Sequence, residues 1–299
     1  MICGPTGAGK SAVAAWLAGA SDRPVVVLSA DSRQIYRGFD IGTAKPSAEE
    51  RARVAHRGVD IVEPAERYSA ARWAADAAGW IDQARLAGAV PVVVGGTGLY
   101  LRALFEGLYR EPELDSGRRQ RLGTWMAALP TEELRRWVER LDPARAHLGR
   151  VQLLRAAEIA LLSGQRVSEL HAAAASSPGF RARYLLVDPG PALAERLTAR
   201  LDEMIAAGWL DEARDLATRV PITAPAWQST GYGTMQRVSS GELDMAEGRL
   251  EIAIHTRQYA KRQRTWFRHQ LDADSVTRLD PTAPDWRDRA HDWWMRLRR

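Results

Sequence analysis

The sequence predicts an α/β fold built on a parallel sheet and interrupted by an all-helical insertion. Val25–Leu28 and Val90–Val94 are short runs dominated by valine, the pattern of strands buried on both faces. Stretches of helical period at residues 11–19 and 69–87 alternate with them, as in a doubly wound sheet. From about Pro112 to Pro178 the β-branched runs stop, and apolar residues recur only at helical spacing.

Taken in chain order, the first element is the shortest. Met1, Ile2 and Cys3 are the only residues before Gly4. A buried strand should stand there, so either it is very short or it begins upstream. Gly4-Pro5-Thr6-Gly7-Ala8-Gly9-Lys10-Ser11 then matches the phosphate-binding P-loop pattern without a mismatch. Its glycines let backbone N–H groups curl around phosphate oxygens at a helix N-terminus. Lys10 adds a point charge, and the Ser11 hydroxyl can hold a magnesium ion. The core is therefore expected to be P-loop NTPase-like. Such a loop specifies a polyphosphate; it does not specify ATP or a kinase.

Asp31 follows the Val25 strand. In open α/β sheets ligands gather beyond the C-terminal strand ends, so Asp31 is aimed at the same crevice. It could bind magnesium, take a proton from a nucleophile, or cap a turn. The glycines of Val94-Gly95-Gly96-Thr97 allow close backbone approach to a ligand, or simply a tight strand-to-helix turn.

In the insertion, Leu122, Trp125, Met126 and Leu129, then Leu134, Trp137, Val138 and Leu141, then Leu153, Leu154, Ala157 and Leu161 lie at helical spacing. Trp125 and Trp137 are expected in its core. The chain returns to the sheet at Tyr184–Val187. Leu193, Leu197, Leu201 and Ile205 line one helix face, which Gly208 is placed to end. Arg196 and Arg200 share the other side; Arg196 is expected to be solvated beside Glu195 or Glu203. Arg257, Lys261, Arg264 and Arg268 form a cationic stripe at offsets 0, 4, 7 and 11, which calls for an anion such as a nucleic-acid backbone. The last ~25 residues suggest no role by the signals that mark elements in a sequence.

Composition narrows the class. The chain of 299 residues is 45% hydrophobic and 26% charged, with a net charge of +5, which mildly favours a polyanionic partner. Cys3 alone can form neither an internal disulfide nor a cysteine zinc cluster. No apolar run is long enough to span a membrane, and no leader is visible. A cytoplasmic monomer with no membrane partner is the expectation. The only lysines are Lys10, Lys45 and Lys261, so the placement of each is informative.

Four motifs carry a closer resemblance. They are Gly4-Pro5-Thr6 opening the P-loop; the run from Asp31 through Gln34, Ile35, Tyr36, Gly38, Asp40, Ile41, Gly42, Thr43, Ala44, Lys45 and Pro46; Val94 to Tyr100; and Thr256 to Gln263. In this order, over roughly residues 3–270, the chain resembles the bacterial-type tRNA dimethylallyltransferase family. The resemblance implies transfer of a dimethylallyl group from dimethylallyl diphosphate to N6 of adenosine-37 in the anticodon arm of tRNA, releasing diphosphate. It implies diphosphate in the loop from Gly4 through Pro5, Thr6, Gly7, Ala8, Gly9 and Lys10 to Ser11, with Mg2+ on Ser11 and a further contact from Arg200. It makes Asp31 the base and places Thr97 near the amine. It implies tRNA contacts at Asp31, Ser32, Arg33, Gln34 and Thr97, at Arg119 and Arg155, at Gly231 and Tyr232, and at Arg257, Lys261, Arg262 and Gln263. The core would be residues 1–111 and 183–299, and the tRNA-contacting insertion residues 112–182.

The chain departs from the family pattern at Leu148-Gly149, where Asn-Asp is usual, and at Gly233, where a basic residue usually follows the Gly-Tyr pair. Two rivals share the P-loop: a small-molecule or nucleotide kinase, and an RNA-binding protein using nucleotide as a switch.

Overall fold

The computed structural model describes residues 1–108, 112–173 and 180–297. They fall into two compact units, Met1–Leu104 with Phe180–Arg299, and Phe105–Gly179. Residue 111, the expected end of the first core segment, lies outside the described residues.

The larger unit is organised on a six-stranded sheet in the order β3-β2-β4-β1-β5-β6. The strands are β1 (Ile2–Cys3), β2 (Val25–Ala30), β3 (Ala55–Arg57), β4 (Val90–Gly95), β5 (Tyr184–Val187) and β6 (Val276–Leu279). All pairings are parallel. β1 is indeed very short, yet it is inserted between β4 and β5 and both its residues are fully buried. Two residues suffice because neighbours on both sides satisfy their backbone groups. The apolar residues of β1, β2, β4 and β5 form one core with Val13 and Leu17 of α1 (Lys10–Gly19). Trp293 and Trp294 complete that core, so the last segment, which suggested no role, supplies an edge strand and a core helix.

In the larger unit α2 (Ala48–Arg53), α3 (Ala70–Leu86) and α4 (Gly98–Phe105) precede the insertion. The insertion holds α5 (Ser116–Ala127), α6 (Thr131–Leu141), α7 (Arg150–Ser163) and α8 (Val167–Ala173). Their shared core contains Met126, Leu134, Val138, Leu153 and Ile159. Trp125 and Trp137 do not join it. They are 47% and 38% exposed and meet edge to face at 5.6 Å. Both have the right helical period but sit on the flank of the apolar stripe. Gly149, at the departure from the family pattern, is the N-cap of α7 without a side-chain cap. Arg150 donates to the carbonyls of Ala127 and Leu129 at the end of α5.

After β5 come α9 (Leu193–Ala206), α10 (Trp209–Arg219), α11 (Tyr232–Ser239), α12 (Met245–Gln270) and, past β6, α13 (Trp286–Arg296). A second core gathers Phe39, Trp209, Trp227 and Tyr232. The Trp209 indole is slotted between two glycines: a Cβ at Gly42 would lie 2.2 Å from its ring, and one at Gly231 2.4 Å. None of the described helices is long and apolar enough to cross a membrane.

Lys45 explains much of the long motif between Asp31 and Pro46. Its side chain is 2% exposed, and its ammonium donates to the Tyr36 carbonyl, to Asp40 at 2.6 Å and to Asp60 at 2.5 Å. It therefore folds the segment after Asp31 onto itself. Lys45→Met takes the buried partner from the Tyr36 carbonyl and from Asp40 and Asp60, of which Asp60 keeps Arg51 at 2.7 Å. A cost of about 1–3 kcal/mol is expected, lowering the melting temperature by roughly 2–10 °C in a thermal denaturation scan. An unchanged melting curve would contradict this role.

Candidate active site

Three loops leave the sheet at one level. Ala30 of β2 is paired with Gly95 of β4, and Gly95 with Cys3 of β1. One step beyond this row stand Asp31, Gly96 and Gly4. The arrangement follows from strand pairing alone, and it brings the P-loop, Asp31 and Thr97 to one crevice as expected.

The P-loop leads into α1 through Gly9, whose φ of 96° lies in the left-handed region. That helix has no side-chain cap and no acid in its first turn. Its first N–H groups and the positive end of its dipole therefore face an anion without competition. The Lys10 ammonium donates to the Pro5 carbonyl at 2.7 Å. Burial pulls its pKa down to about 8; the Asp31 charge opposes that shift and the Arg200 charge adds to it. Burial likewise lowers the pKa of Arg200, against the charges of Asp31 and Glu203. Two cations so placed are short of negative charge. Arg196 is exposed, as expected, and also donates to the Gly7 carbonyl at 3.2 Å. One turn of α9 brings both arginines to the loop.

Asp31 accepts a hydrogen bond from the Arg33 amide at 2.8 Å, and Thr97 Oγ1 accepts one from the Ser32 amide at 3.1 Å. The Thr97 amide in turn donates to the Ala30 carbonyl at 3.2 Å. Tyr259 is hydrogen-bonded to Thr97, and its pKa is raised to about 12 by burial and by the nearby Asp31 charge. Cys3 is buried with its pKa likewise raised to about 12 by burial, so it is a small apolar filler and not a reactive thiol.

Two cavities meet here. One, of about 930 Å3, is lined by Gly7, Gly9, Lys10, Ser11, Arg196 and Arg200. The other, of about 560 Å3, is lined by Thr97, Leu99, Met204, Trp209, Tyr259 and Trp266. Thr6, Asp31, Thr43, Gly96, Arg200 and Gln263 line both. The first surrounds the P-loop with Lys10, Arg196 and Arg200; the second adds aromatic walls, Trp209, Tyr259 and Trp266, beside Arg33, Arg102 and Arg262.

Several residues expected to touch tRNA are placed otherwise. Gln34 accepts from Ser29 and donates to the carbonyls of Thr43 and Ala44, bracing the loop behind Asp31. Tyr232 is fully buried and accepts from the Gly42 amide, and Gly231 walls the Trp209 slot. Gln263 is 7% exposed with both ends of its amide bonded inside the protein. Arg264 pairs with Asp188 at 2.9 Å and donates to the Gly190 carbonyl at 2.6 Å. Arg257 donates to Thr198 at 3.3 Å. The cationic stripe thus turns partly toward α9 and the end of β5. The cavity-facing side of α12 is Thr256, Tyr259, Arg262, Gln263 and Trp266. Helical spacing set the stripe correctly but could not say which side of α12 meets the site. Lys261, Arg262 and Arg268 are exposed, and Ser32 and Arg33 are half-buried at the second cavity. In the smaller unit, Arg119 and Arg155 both pair with Glu158. Trp209, Tyr259 and Trp266 were not legible as site residues; the glycines packed against Trp209 and Trp266 were the available signal.

Comparison with known proteins identifies the family and the fold. The family model described as IPP transferase matches residues 34–270. A protein of Anaeromyxobacter sp. (strain Fw109-5) named tRNA dimethylallyltransferase is 41% identical over 293 residues, covering 93% of this chain and 97% of that one. The full-length tRNA isopentenylpyrophosphate transferase of Bacillus halodurans superposes with a TM-score of 0.69 at 30% identity, covering 99% of this chain and 94% of that one. A eukaryotic dimethylallyltransferase described as acting on tRNA shares the fold, with a TM-score of 0.79 at 24% identity over 97% of this chain and 76% of that one. These matches do not favour the kinase alternative. With matches of this extent, over residues 34–270 for the family model and over 93% of the chain for a relative 41% identical, the chain belongs to the IPP transferase family.

Proposed function

We infer that this chain transfers a dimethylallyl group from dimethylallyl diphosphate to N6 of adenosine-37 of tRNA, acting as a cytoplasmic monomer. The observation that carries this reading is the pair of cavities that share Asp31 and Arg200 as common walls. A diphosphate suits the cationic side and an adenine suits the aromatic side, so donor and acceptor would approach from two directions and meet at Asp31.

The chemistry balances. The N6 lone pair attacks C1 of the donor, the C1–O bond breaks, and diphosphate leaves with the electron pair. Asp31 accepts the N6 proton, and Thr97 orients the amine. Lys10, Arg200 and the amides at the start of α1 receive the charge that grows on the leaving diphosphate. Guanidinium suits that task because it presents paired donors in a plane.

Magnesium fits the donor set. Among the described residues no cluster of three or more His, Cys, Asp or Glu could hold a metal alone. Magnesium, however, is commonly held by one or two protein oxygens plus substrate phosphates and water. Ser11 lines the cationic cavity with its neighbour Lys10 and would be that protein ligand. When bound, the ion would neutralise diphosphate charge.

On the tRNA side we assign Ser32, Arg33 and Arg262 to the rim of the second cavity, Arg257 and Lys261 to the backbone, and Arg119 and Arg155 to contacts from the insertion (residues 112–182 by composition). Modification chemistry on N6 needs the base out of its stack, and Tyr259 and Trp266 would flank it there. Gln34, Gly231, Tyr232 and Gln263 support these contacts from behind.

The test is prenyl transfer itself. Purified chain, Mg2+ and labelled dimethylallyl diphosphate are incubated with an unmodified tRNA whose anticodon loop is rich in adenine. Label is expected on N6 of adenosine-37. A folded protein that binds tRNA yet leaves it unlabelled, while hydrolysing ATP or phosphorylating a small acceptor, would overturn the reading.

A further inference from the structure

Gln263 stands on α12, 257 residues along the chain from the loop that it touches. Its Oε1 accepts from the Thr6 amide at 2.8 Å, and its Nε2 donates to the Gly96 carbonyl at 2.9 Å. Thr6 belongs to the donor loop after β1, and Gly96 to the acceptor loop after β4. The backbone pairing between these strands ends in the row of Cys3 and Gly95. The ladder stops at that row, and the side-chain amide bridges the two loops beyond it with one acceptor and one donor, as a peptide group would. Gly96 is a glycine for this reason: a Cβ there would lie 2.3 Å from Gln263 Nε2 and 3.0 Å from the Gly4 carbonyl oxygen. The same face of α12 carries Tyr259, Arg262 and Trp266 into the acceptor cavity. The next residue, Arg264, fixes the helix to Asp188 beyond β5.

We propose that Gln263 is a positioning residue that clamps the donor loop to the acceptor loop, so that the diphosphate carbon and the acceptor nitrogen are held in register for reaction. It lines both cavities, but both ends of its amide are bonded to Thr6 and Gly96, and it acts through those two loops. This inference rests on the function proposed above. The amide is the group required, because a side chain of the same shape that only accepts, or does neither, loses one or both loops. A buried donor or acceptor left without its partner is costly, and small misplacements between reacting groups cost rate more than affinity. The fold does not depend on the clamp, since Arg264 and the apolar face of α12 still hold the helix.

The experiment compares wild type, Gln263→Leu and Gln263→Glu. Turnover in Gln263→Leu is expected to fall ~10–100-fold, with the KM for donor and for tRNA changing by less than about threefold. Gln263→Glu can still accept from Thr6 but cannot donate to Gly96 while ionised. As pH falls its carboxyl gains a proton and with it the donor, so its activity relative to wild type rises toward acid. A variant that keeps wild-type turnover, that loses only affinity, or whose Glu form shows no relative gain at low pH would overturn the clamp. Hydrogen exchange supplies a readout that does not require prenyl transfer. In Gln263→Leu the segments around Thr6 and Gly96 should both exchange faster, with β5 and the rest of α12 unchanged; wild-type exchange at both loops would overturn the proposal. Absence of prenyl transfer by wild type with the exchange pattern as expected would sink the proposed function and leave the clamp standing.

Discussion

Asp31→Ala is expected to lose prenyl transfer by roughly 10^2–10^4-fold while diphosphate and tRNA still bind. The magnitude is that of a positioned general base. An exocyclic adenine amine is a weak nucleophile because its lone pair is delocalised into the ring. Its proton must leave as the new bond forms, and Asp31 stands where both cavities meet. The carboxylate is oriented by the Arg33 amide at 2.8 Å, so Asp31→Asn keeps the shape and the turn but cannot accept the proton. The two variants should therefore be equally slow in single-turnover assays with saturating donor and tRNA. Near-wild-type chemistry in Asp31→Asn would remove Asp31 as the base and restrict it to a structural acceptor.

Lys10→Ala is expected to cripple donor use, with kcat/KM for dimethylallyl diphosphate down by on the order of 10^2–10^3 and tRNA binding little changed, as for a group that meets the diphosphate both in the ground state and as it leaves. The lysine also sets a pH dependence. With its pKa lowered to about 8, the ammonium of the free enzyme loses its proton as pH rises through 8. The kcat/KM for donor, which reports free-enzyme groups, should fall above that pH. The stability sign is opposite. The unfolded lysine titrates near 10.5 and the folded one near 8, so between those values the unfolded chain holds more protons and stability rises with pH. Below 8 both states are protonated, and the buried cation costs stability that bound diphosphate would return. Pyrophosphate with Mg2+ should accordingly raise the melting temperature more at pH 7 than at pH 9.5. Equal gains at both pH values would mean that Lys10 does not meet the anion.

Much of this site could be read from the chain. The P-loop spacing, the valine runs and the glycines after Val94 place Lys10, Asp31 and Thr97 at one sheet edge without coordinates. The edge strands β3 and β6 escaped because Ala55-His56-Arg57 and Val276-Thr277-Arg278-Leu279 are short and lack a valine run. They are strands because a paired neighbour offers them a ladder. Trp125 and Trp137 show the limit of periodicity, which locates a face but not its margin. Arg196, Arg264 and Gln263 show a second limit. Their partners are Gly7, Asp188, Thr6 and Gly96, and no local pattern announces a contact made across so much chain.

The position of β1 has a consequence in time. The strand is flanked by β4 and β5, both later in the chain, and its loop is tied to residue 263. At about 5–20 residues per second, the 257 residues between Thr6 and Gln263 separate the two halves of one contact by on the order of 10–50 s of translation. By the time α12 is made, β1 to β5 have been synthesised and only β6 of the sheet is still to come. The two loops that Gln263 bridges are therefore made well before the residue that joins them, and their register is set last.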